Sequence, residues 1–312
     1  MMAKIGCIDI GTNSVRILGL EINDKGDINQ ILRDMRIIRL GAGMGLKGKI
    51  ATYSMDLLID TLNYFQEIGG RHGIKRYYAV CTSAVRSAKN KEEFINYISK
   101  ATKIPLKVLS GEEEGNLAFM GATEKEPSNK KICVIDIGGG STEIILGKGK
   151  VILDSKSVDI GAVWMTEKFL SSDPISSKEY KIMLDNVKKS FSESLLQIKE
   201  KSVNIDSAIG IGGTITTLAS ILLKMEIYNP EKICGFSFDL NQLKAIINKL
   251  LRKDLNDRKN IPGLQPGRVD IIPAGAGILY ILMKELGLCS IKVKDTDLLM
   301  GMAIKIFQNE LF

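Results

Sequence analysis

Six residues near the start, Asp9-Ile10-Gly11-Thr12-Asn13-Ser14, return in altered form 127 positions later as Asp136-Ile137-Gly138-Gly139-Gly140-Ser141. An apolar run leads into each copy, Ile5-Gly6-Cys7-Ile8 and Ile132-Cys133-Val134-Ile135. Another leaves it, Val15-Arg16-Ile17-Leu18 and Ile144-Ile145-Leu146. A strand, a tight turn and a second strand are thus written twice in register. The pattern predicts a duplicated domain whose two turns face one cleft.

The composition of the turns points to phosphate. Glycine allows a backbone with positive φ and close approach of a ligand. Successive amide N–H groups in such a turn form a concave anion site. Ser and Thr hydroxyls add donors. An aspartate at the strand end suits a hard divalent cation, which takes oxygen ligands. A single Asp-x-Gly-x-x-Ser is ordinary hairpin chemistry. Two copies, the second running on to Thr142-Glu143, favour a polyphosphate clamp. Neither copy is a nucleotide P-loop, since no Gly-Lys-Ser/Thr follows. Neither is a dinucleotide fingerprint, since a strand rather than a helix follows.

The chain has 312 residues, which suits two domains with a core each. Hydrophobic residues make up 45% and charged residues 25%, and no apolar run is long enough to span a bilayer. Met1-Met2-Ala3-Lys4 leads straight into a strand, which leaves no room for a signal peptide. The five cysteines, Cys7, Cys81, Cys133, Cys234 and Cys289, are widely spaced and odd in number. They are expected as buried free thiols in a reducing, cytoplasmic setting rather than as disulfides or a zinc site. The net charge of +7 suits an anionic ligand, though lysine-rich helices produce the same number. No aromatic interleaving or binding motif supports nucleic acid. The only histidine, His72, is expected in a loop after a helix without a role. Chemistry that needs two histidines is excluded, so a proton acceptor would be a carboxylate.

Strands alternate with helices, which predicts an α/β fold. After the first hairpin (4–23) and a turn at Asp24-Lys25-Gly26-Asp27, the reading gives a strand region at 28–40. A glycine-rich loop at 41–48 is open to two readings, lid or plain connection. Helices follow at 53–69, 90–101 and 112–120, with strands at 75–81 and 106–109. After a charged connection at 124–131 the repeated hairpin begins. Helices are expected at about 162–170, 176–200 and 240–253, and a strand at 207–211. A third glycine turn, Gly212-Gly213-Thr214, comes before an apolar helix. A polar segment runs on to Gly267, and a last helix pair covers about 268–287 and 296–309.

Three carboxylates stand out: Asp136 at a strand end, Glu143 in the strand leaving that turn, and Glu114 at a helix start after a Ser-Gly turn. Phosphoanhydride hydrolysis needs a cation against the charge and a group that positions water. Asp136 and Glu143 suit the first need and Glu114 the second. The residues alone do not choose among Glu112, Glu113 and Glu114, since acidic side chains also suit a helix N-terminus. Arg86 follows a strand's carboxyl end and is open to two readings, a fork onto phosphate or a surface ion pair.

Together these segments resemble the exopolyphosphatase/guanosine pentaphosphate phosphatase (Ppx/GppA) family in its short two-domain form. The matching residues are Asp9 to Ser14, Thr82-Ser83-Ala84-Val85-Arg86, Ser110-Gly111-Glu112-Glu113-Glu114 and Ile135 to Glu143. Asp159-Ile160-Gly161-Ala162-Val163 and Gly210-Ile211-Gly212-Gly213-Thr214 also match, and Gly263 to Asp270 with Gly275 more weakly. The resemblance implies two ribonuclease-H-like domains of the actin/Hsp70/sugar-kinase superfamily around a central cleft. The expected division is 1–124 and 125–295, with a helix at about 296–312 packing back on the first domain. It implies release of terminal phosphate from inorganic polyphosphate or pppGpp with Mg²⁺. Glu114 would be the base, with Asp136, Glu143 and Arg86 also catalytic. Asp136, Glu143 and Asp9 would attend the metal. Gly11, Thr12, Asn13, Ser14, Gly138, Gly139, Gly140, Ser141, Gly212, Gly213 and Thr214 would hold phosphates. A homodimer is an open option; no nucleic-acid or membrane partner is expected.

The chain departs from the family in two places. Gly115-Asn116 stands where Ala-Arg is frequent, and Leu298-Leu299-Met300-Gly301 where Leu-Arg-Glu-Gly is usual. The chain is also too short for the HD-type helical domain of longer relatives, which favours short polyphosphate or pppGpp as substrate. Two competing readings stay open: an actin-fold small-molecule kinase, and a non-catalytic pppGpp or polyphosphate binder.

Overall fold

The computed structural model describes residues 3–23, 28–44, 48–201, 205–308 and 310–311. The turn at 24–27 and the tip of the glycine-rich loop, 45–47, lie outside the described residues. The chain divides into two compact units, Met1–Gly121 with Leu298–Phe312, and Ala122–Asp297.

Unit 1 begins with β1 (Ala3–Ile10), β2 (Ser14–Ile22) and β3 (Ile28–Ile37). Helix α1 (Thr52–Arg71), β4 (Arg76–Cys81), α2 (Ser83–Ser87), α3 (Lys91–Thr102), β5 (Leu106–Val108) and α4 (Gly111–Thr123) follow. Its sheet has the order β3-β2-β1-β4-β5; β1 pairs antiparallel with β2 and parallel with β4. β1 lies inside the sheet and is apolar nearly throughout, as a strand covered on both faces must be. Helix α1 covers one face with Met55, Leu58, Leu62 and Phe65, all buried at helical spacing.

Unit 2 contains β6 (Lys131–Ile137), β7 (Thr142–Lys148), β8 (Val151–Val158), α5 (Ala162–Phe169), α6 (Ser177–Lys201), β9 (Ser207–Ile211) and α7 (Gly212–Leu222). Then come α8 (Pro230–Ile233), β10 (Ser237–Asp239), α9 (Leu240–Leu251), α10 (Leu255–Lys259), a 3-10 turn (Pro266–Arg268), α11 (Ile272–Glu285) and β11 (Ser290–Val293). Its sheet has the order β10-β11-β9-β6-β7-β8. Here β6 pairs antiparallel with β7 and parallel with β9, the same arrangement as β1 with β2 and β4. The repeated motif therefore marks a repeated sheet.

The last helix, α12 (Leu298–Phe307), belongs to unit 1 and buries Leu298, Leu299, Met302 and Ala303 against Ile5, Cys7, Leu18 and Leu20. A Cβ on Gly301 would lie 1.9 Å from the Leu117 carbonyl oxygen, so α12 meets α4 at backbone contact distance. The glycine of the altered Leu-Leu-Met-Gly segment is thus a packing residue.

Several elements differ from the sequence reading. Gly212, Gly213 and Thr214 are the first turn of α7 itself rather than a turn before it. Arg86 sits on the short helix α2. The helix expected from 268 starts at Ile272, with proline in its first turn, where the missing N–H has no intrahelical partner to lose. Strands β8, β10 and β11 and the short helices α2, α8 and α10 were not anticipated; β10 and β11 are only three and four residues long. Cys7, Cys81 and Cys133 are buried within strands, but Cys234 and Cys289 are exposed, in the connections that follow α8 and precede β11. His72 is the exposed cap of α1.

Candidate active site

In unit 1 the parallel strands β1, β4 and β5 end at Ile10, Cys81 and Val108. Ligand sites of open α/β sheets gather at such carboxyl ends. The three segments that leave these ends carry Gly11–Ser14, Thr82–Arg86 and Ser110–Glu114. The Gly11 N–H donates to the Ser14 carbonyl at 3.1 Å and closes the first turn. The Thr12 carbonyl accepts from the Gly41 N–H, and the Asn13 carbonyl from the Ile38 and Arg39 N–H groups. Thr12 and Asn13 are buried, yet neither polar atom of the Asn13 carboxamide has a hydrogen-bond partner within the protein. Buried polar atoms are nearly always paired, so such an orphan calls for an explanation.

The structure separates the three adjacent glutamates. Ser110 and Glu113 form a capping box: the Glu113 N–H donates to Ser110 Oγ at 3.1 Å, and the Ser110 N–H to Glu113 Oε2 at 2.8 Å. Glu113 also pairs with Lys107, and its carboxyl is held below the usual range, first by the Ser110 N–H. Glu112 is exposed. Glu114 alone is buried. Its Oε2 accepts from Arg86 Nη1 at 2.6 Å, and the same Nη1 donates to the Leu109 carbonyl at 3.1 Å. Burial raises the Glu114 pKa from 4.5 to about 7, and Arg86 offsets only part of that effect. Asp9 pushes it up further and Arg16 pulls it down. A carboxylate with such a pKa is poised to exchange a proton near neutrality. The second Arg86 nitrogen, Nη2, is buried without a partner.

Asp9 stands opposite Arg16 across β1–β2, and Arg16 Nη2 donates to Asp9 Oδ2 at 2.6 Å. A guanidinium therefore meets the charge of Asp9, the residue expected to attend a metal.

In unit 2 the second turn repeats the first, with the Gly138 N–H donating to the Ser141 carbonyl at 3.0 Å. The start of α5 pins it: Ala162 N–H donates to the Gly138 carbonyl and Val163 N–H to that of Gly139. Gly161 makes this approach feasible, since a Cβ there would lie 2.4 Å from the Gly139–Gly140 peptide. Gly140 and Ser141 are buried, and Gly138 and Gly139 half-buried. Asp136 stands opposite Glu143 across β6–β7, and Glu143 accepts from Ser157 Oγ on β8 at 2.7 Å. Gly212, at φ +80°, lies against the Asp136 carboxylate, where a Cβ would be 2.2 Å from Oδ1. Gly213 lies under the guanidinium of buried Arg268, whose Nε donates to Gln265 Oε1 at 3.1 Å. Thr214 is buried beside Gly275.

Among the described residues, no three His, Cys, Asp or Glu side chains cluster as a metal cage. The donor set of unit 2 suits Mg²⁺ in another way. Mg²⁺ characteristically takes one or two carboxylates and completes its shell with waters and substrate phosphates. Asp136 and Glu143 are two carboxylates directly opposite each other on adjacent strands. Sequence reasoning missed Arg16, Ser157, Gly161 and Arg268 as parts of these sites. The 127-residue offset aligns Arg16 with Glu143 and could have revealed that pair; nothing comparable pointed to Ser157.

Two mixed sheets that share one five-strand order, the second extended by β10, each with a glycine turn after its first strand, define a duplicated ribonuclease-H-like protein of the actin/Hsp70/sugar-kinase superfamily. The family model for the Ppx/GppA phosphatase family matches residues 21–310, and the chain belongs to that family. The chain is 30% identical to exopolyphosphatase 2 of Mycobacterium tuberculosis over 98% of its own length and 99% of the relative's. It is 26% identical to the guanosine-5'-triphosphate,3'-diphosphate pyrophosphatase of Vibrio vulnificus, over 97% of this chain and 59% of that protein. The crystal structure of the Aquifex aeolicus Ppx/GppA family member superposes with a TM-score of 0.81 at 28% identity, covering both chains completely. Among the described residues no helix is long and apolar enough to cross a membrane.

Proposed function

We propose that this chain is a phosphoanhydride hydrolase that releases terminal orthophosphate from inorganic polyphosphate or the 5'-γ phosphate of pppGpp. The observation that carries the reading is Glu114: one carboxylate out of three, buried, raised to about 7 and held by Arg86. In this reading Glu114 takes the proton of an attacking water and Arg86 orients the carboxylate. The Gly11–Ser14 turn in unit 1, and Gly138–Ser141 with Gly212–Thr214 in unit 2, offer N–H and hydroxyl donors to phosphate oxygens. Asp136 and Glu143 would hold Mg²⁺, which when bound neutralises phosphate charge. A cytoplasmic setting belongs to the same reading; its support is that all five cysteines are free thiols.

The test is phosphate release with Mg²⁺ from long polyphosphate, short polyphosphate, pppGpp and ATP, on the wild type and on Glu114→Gln. Release that disappears in the variant while substrate still binds supports the reading and names the substrate. Near-normal turnover by the variant overturns the role of Glu114. A folded wild type inactive on all four overturns the hydrolase reading and favours a kinase needing an acceptor, or a binder.

A further inference from the structure

The segment that carries Arg86 holds a second polar group with no assigned role. Ser83 is 2% exposed, and its Oγ is buried without a hydrogen-bond partner. Desolvating a hydroxyl with no compensating bond costs stability, and alanine of nearly the same shape avoids that cost. The backbone fixes its neighbourhood. Thr82 N–H donates to the carbonyl of Ile10, the last residue of β1, so Ser83 begins its helix beside the Gly11–Ser14 turn. Ala84, the next residue, packs near Gly41, whose N–H holds the Thr12 carbonyl of that turn. One turn further on, the Arg86 N–H donates to the Thr82 carbonyl at 2.9 Å.

Unit 1 thus gathers three donor-bearing groups that are buried without a hydrogen-bond partner at the ends of two adjacent parallel strands, the Asn13 carboxamide, Ser83 Oγ and Arg86 Nη2, together with one such acceptor, Asp9 Oδ1, whose carboxylate is paired with Arg16. Each of the three supplies at least one donor hydrogen. Apolar surroundings would leave all three unsatisfied together; a tetrahedral oxyanion with several acceptor oxygens would satisfy them together. We propose that Ser83 is a substrate-binding residue whose hydroxyl donates to a phosphate oxygen of the polyphosphate chain, in one subsite with Asn13 and Arg86. The assignment rests on the phosphoanhydride reading above and deepens it.

Tripolyphosphate binding by calorimetry separates the two ideas, using Glu114→Gln so that the ligand survives. The second variant is Glu114→Gln with Ser83→Ala; steady-state kinetics compare Ser83→Ala with wild type. A lost hydrogen bond to a charged group predicts binding weaker by about tenfold or more and a matching rise in KM. kcat should fall less than KM rises, and the unfolding midpoint should be unchanged or higher, since the change deletes an unsatisfied hydroxyl. Unaltered tripolyphosphate affinity and KM in the Ser83→Ala variants, beside an active wild type, would overturn the subsite and leave the hydrolase reading standing. A wild type that neither binds tripolyphosphate nor cleaves any substrate would overturn both.

Discussion

Glu143 faces Asp136 across the β6–β7 ladder at the position where Arg16 faces Asp9 across β1–β2. The same cross-strand site holds an ion pair in one unit and two carboxylates in the other. Directly opposed side chains interact strongly enough for the difference to matter. Unit 1 pairs one oxygen of its aspartate, Oδ2, with a guanidinium and leaves Oδ1 buried without a hydrogen-bond partner, whereas unit 2 sets a second carboxylate opposite its aspartate.

Glu143→Gln tests this contrast. Removing one of two opposed charges should leave the metal-free protein folded and within about 1 kcal/mol of the wild type. Added Mg²⁺ should raise the unfolding midpoint of the wild type but much less that of the variant. Phosphate release should drop by about 100-fold or more. Thermal scans with and without Mg²⁺, paired with the activity assay, check all three. Equal Mg²⁺ response in both proteins would remove Glu143 from the cation site.

The pH dependence follows from Glu114. As a base it must be ionised, so kcat/KM should rise with pH through a limb near 7. Stability should move in the opposite sense. The folded pKa lies above the unfolded value of 4.5, so between about 4.5 and 7 the folded state binds more protons. Glu114 therefore erodes stability as pH rises through that window, by up to roughly 3 kcal/mol. Denaturant titrations from pH 4.5 to 8 should show a shallower decline for Glu114→Gln, and turnover should fall about 10²–10⁴-fold.

Arg86→Met should shift that limb upward, because the guanidinium lowers the Glu114 pKa against the larger effect of burial. At pH 7 Glu114 would be mostly protonated, and rates should recover partly at higher pH. The lost bond to the Leu109 carbonyl should cost about 1–3 kcal/mol of stability. Arg86→Lys should not restore full activity, since an ammonium lacks the planar fork. A limb that stays in place would uncouple Arg86 from the base.

Two glycines should resist alanine for different reasons. At Gly212, φ +80° strains any side chain, and a Cβ would strike Asp136 Oδ1. Gly212→Ala should cost about 1–3 kcal/mol and weaken the Mg²⁺ response as well. At Gly301 a Cβ would strike the Leu117 carbonyl. Gly301→Ala should cost a similar 1–3 kcal/mol through overpacking, despite the better helix propensity of alanine, while the Mg²⁺ response persists. Chemical denaturation and the Mg²⁺ midpoint shift distinguish them.

The long elements could be read from the chain because their signals are local. The spacing of Met55, Leu58, Leu62 and Phe65 marks α1, and the runs at Ile5–Ile8 and Ile132–Ile135 mark the paired strands. Strands β8, β10 and β11 carry weaker signals: β10 and β11 are too short for a period, and β8, an edge strand, leaves Val151 and Leu153 exposed. β8 takes its identity from pairing with β7 across a tight turn, and β11 from pairing with β9 and β10, which are distant in the chain.

The site divides in the same way. Sequence alone determined the duplication, the two glycine turns and the candidate carboxylates, because backbone geometry and residue chemistry are local properties. Residue chemistry alone could not choose Glu114 over Glu112 and Glu113, and only the family resemblance pointed to it. Tertiary structure supplied the physical distinction by exposing Glu112, committing Glu113 to a cap and burying Glu114 against Arg86, 28 residues away. It also decided that Asp9 faces a guanidinium while Asp136 faces a carboxylate. Burial and charge pairing set the protonation of a side chain, and both depend on which distant residues the fold brings together.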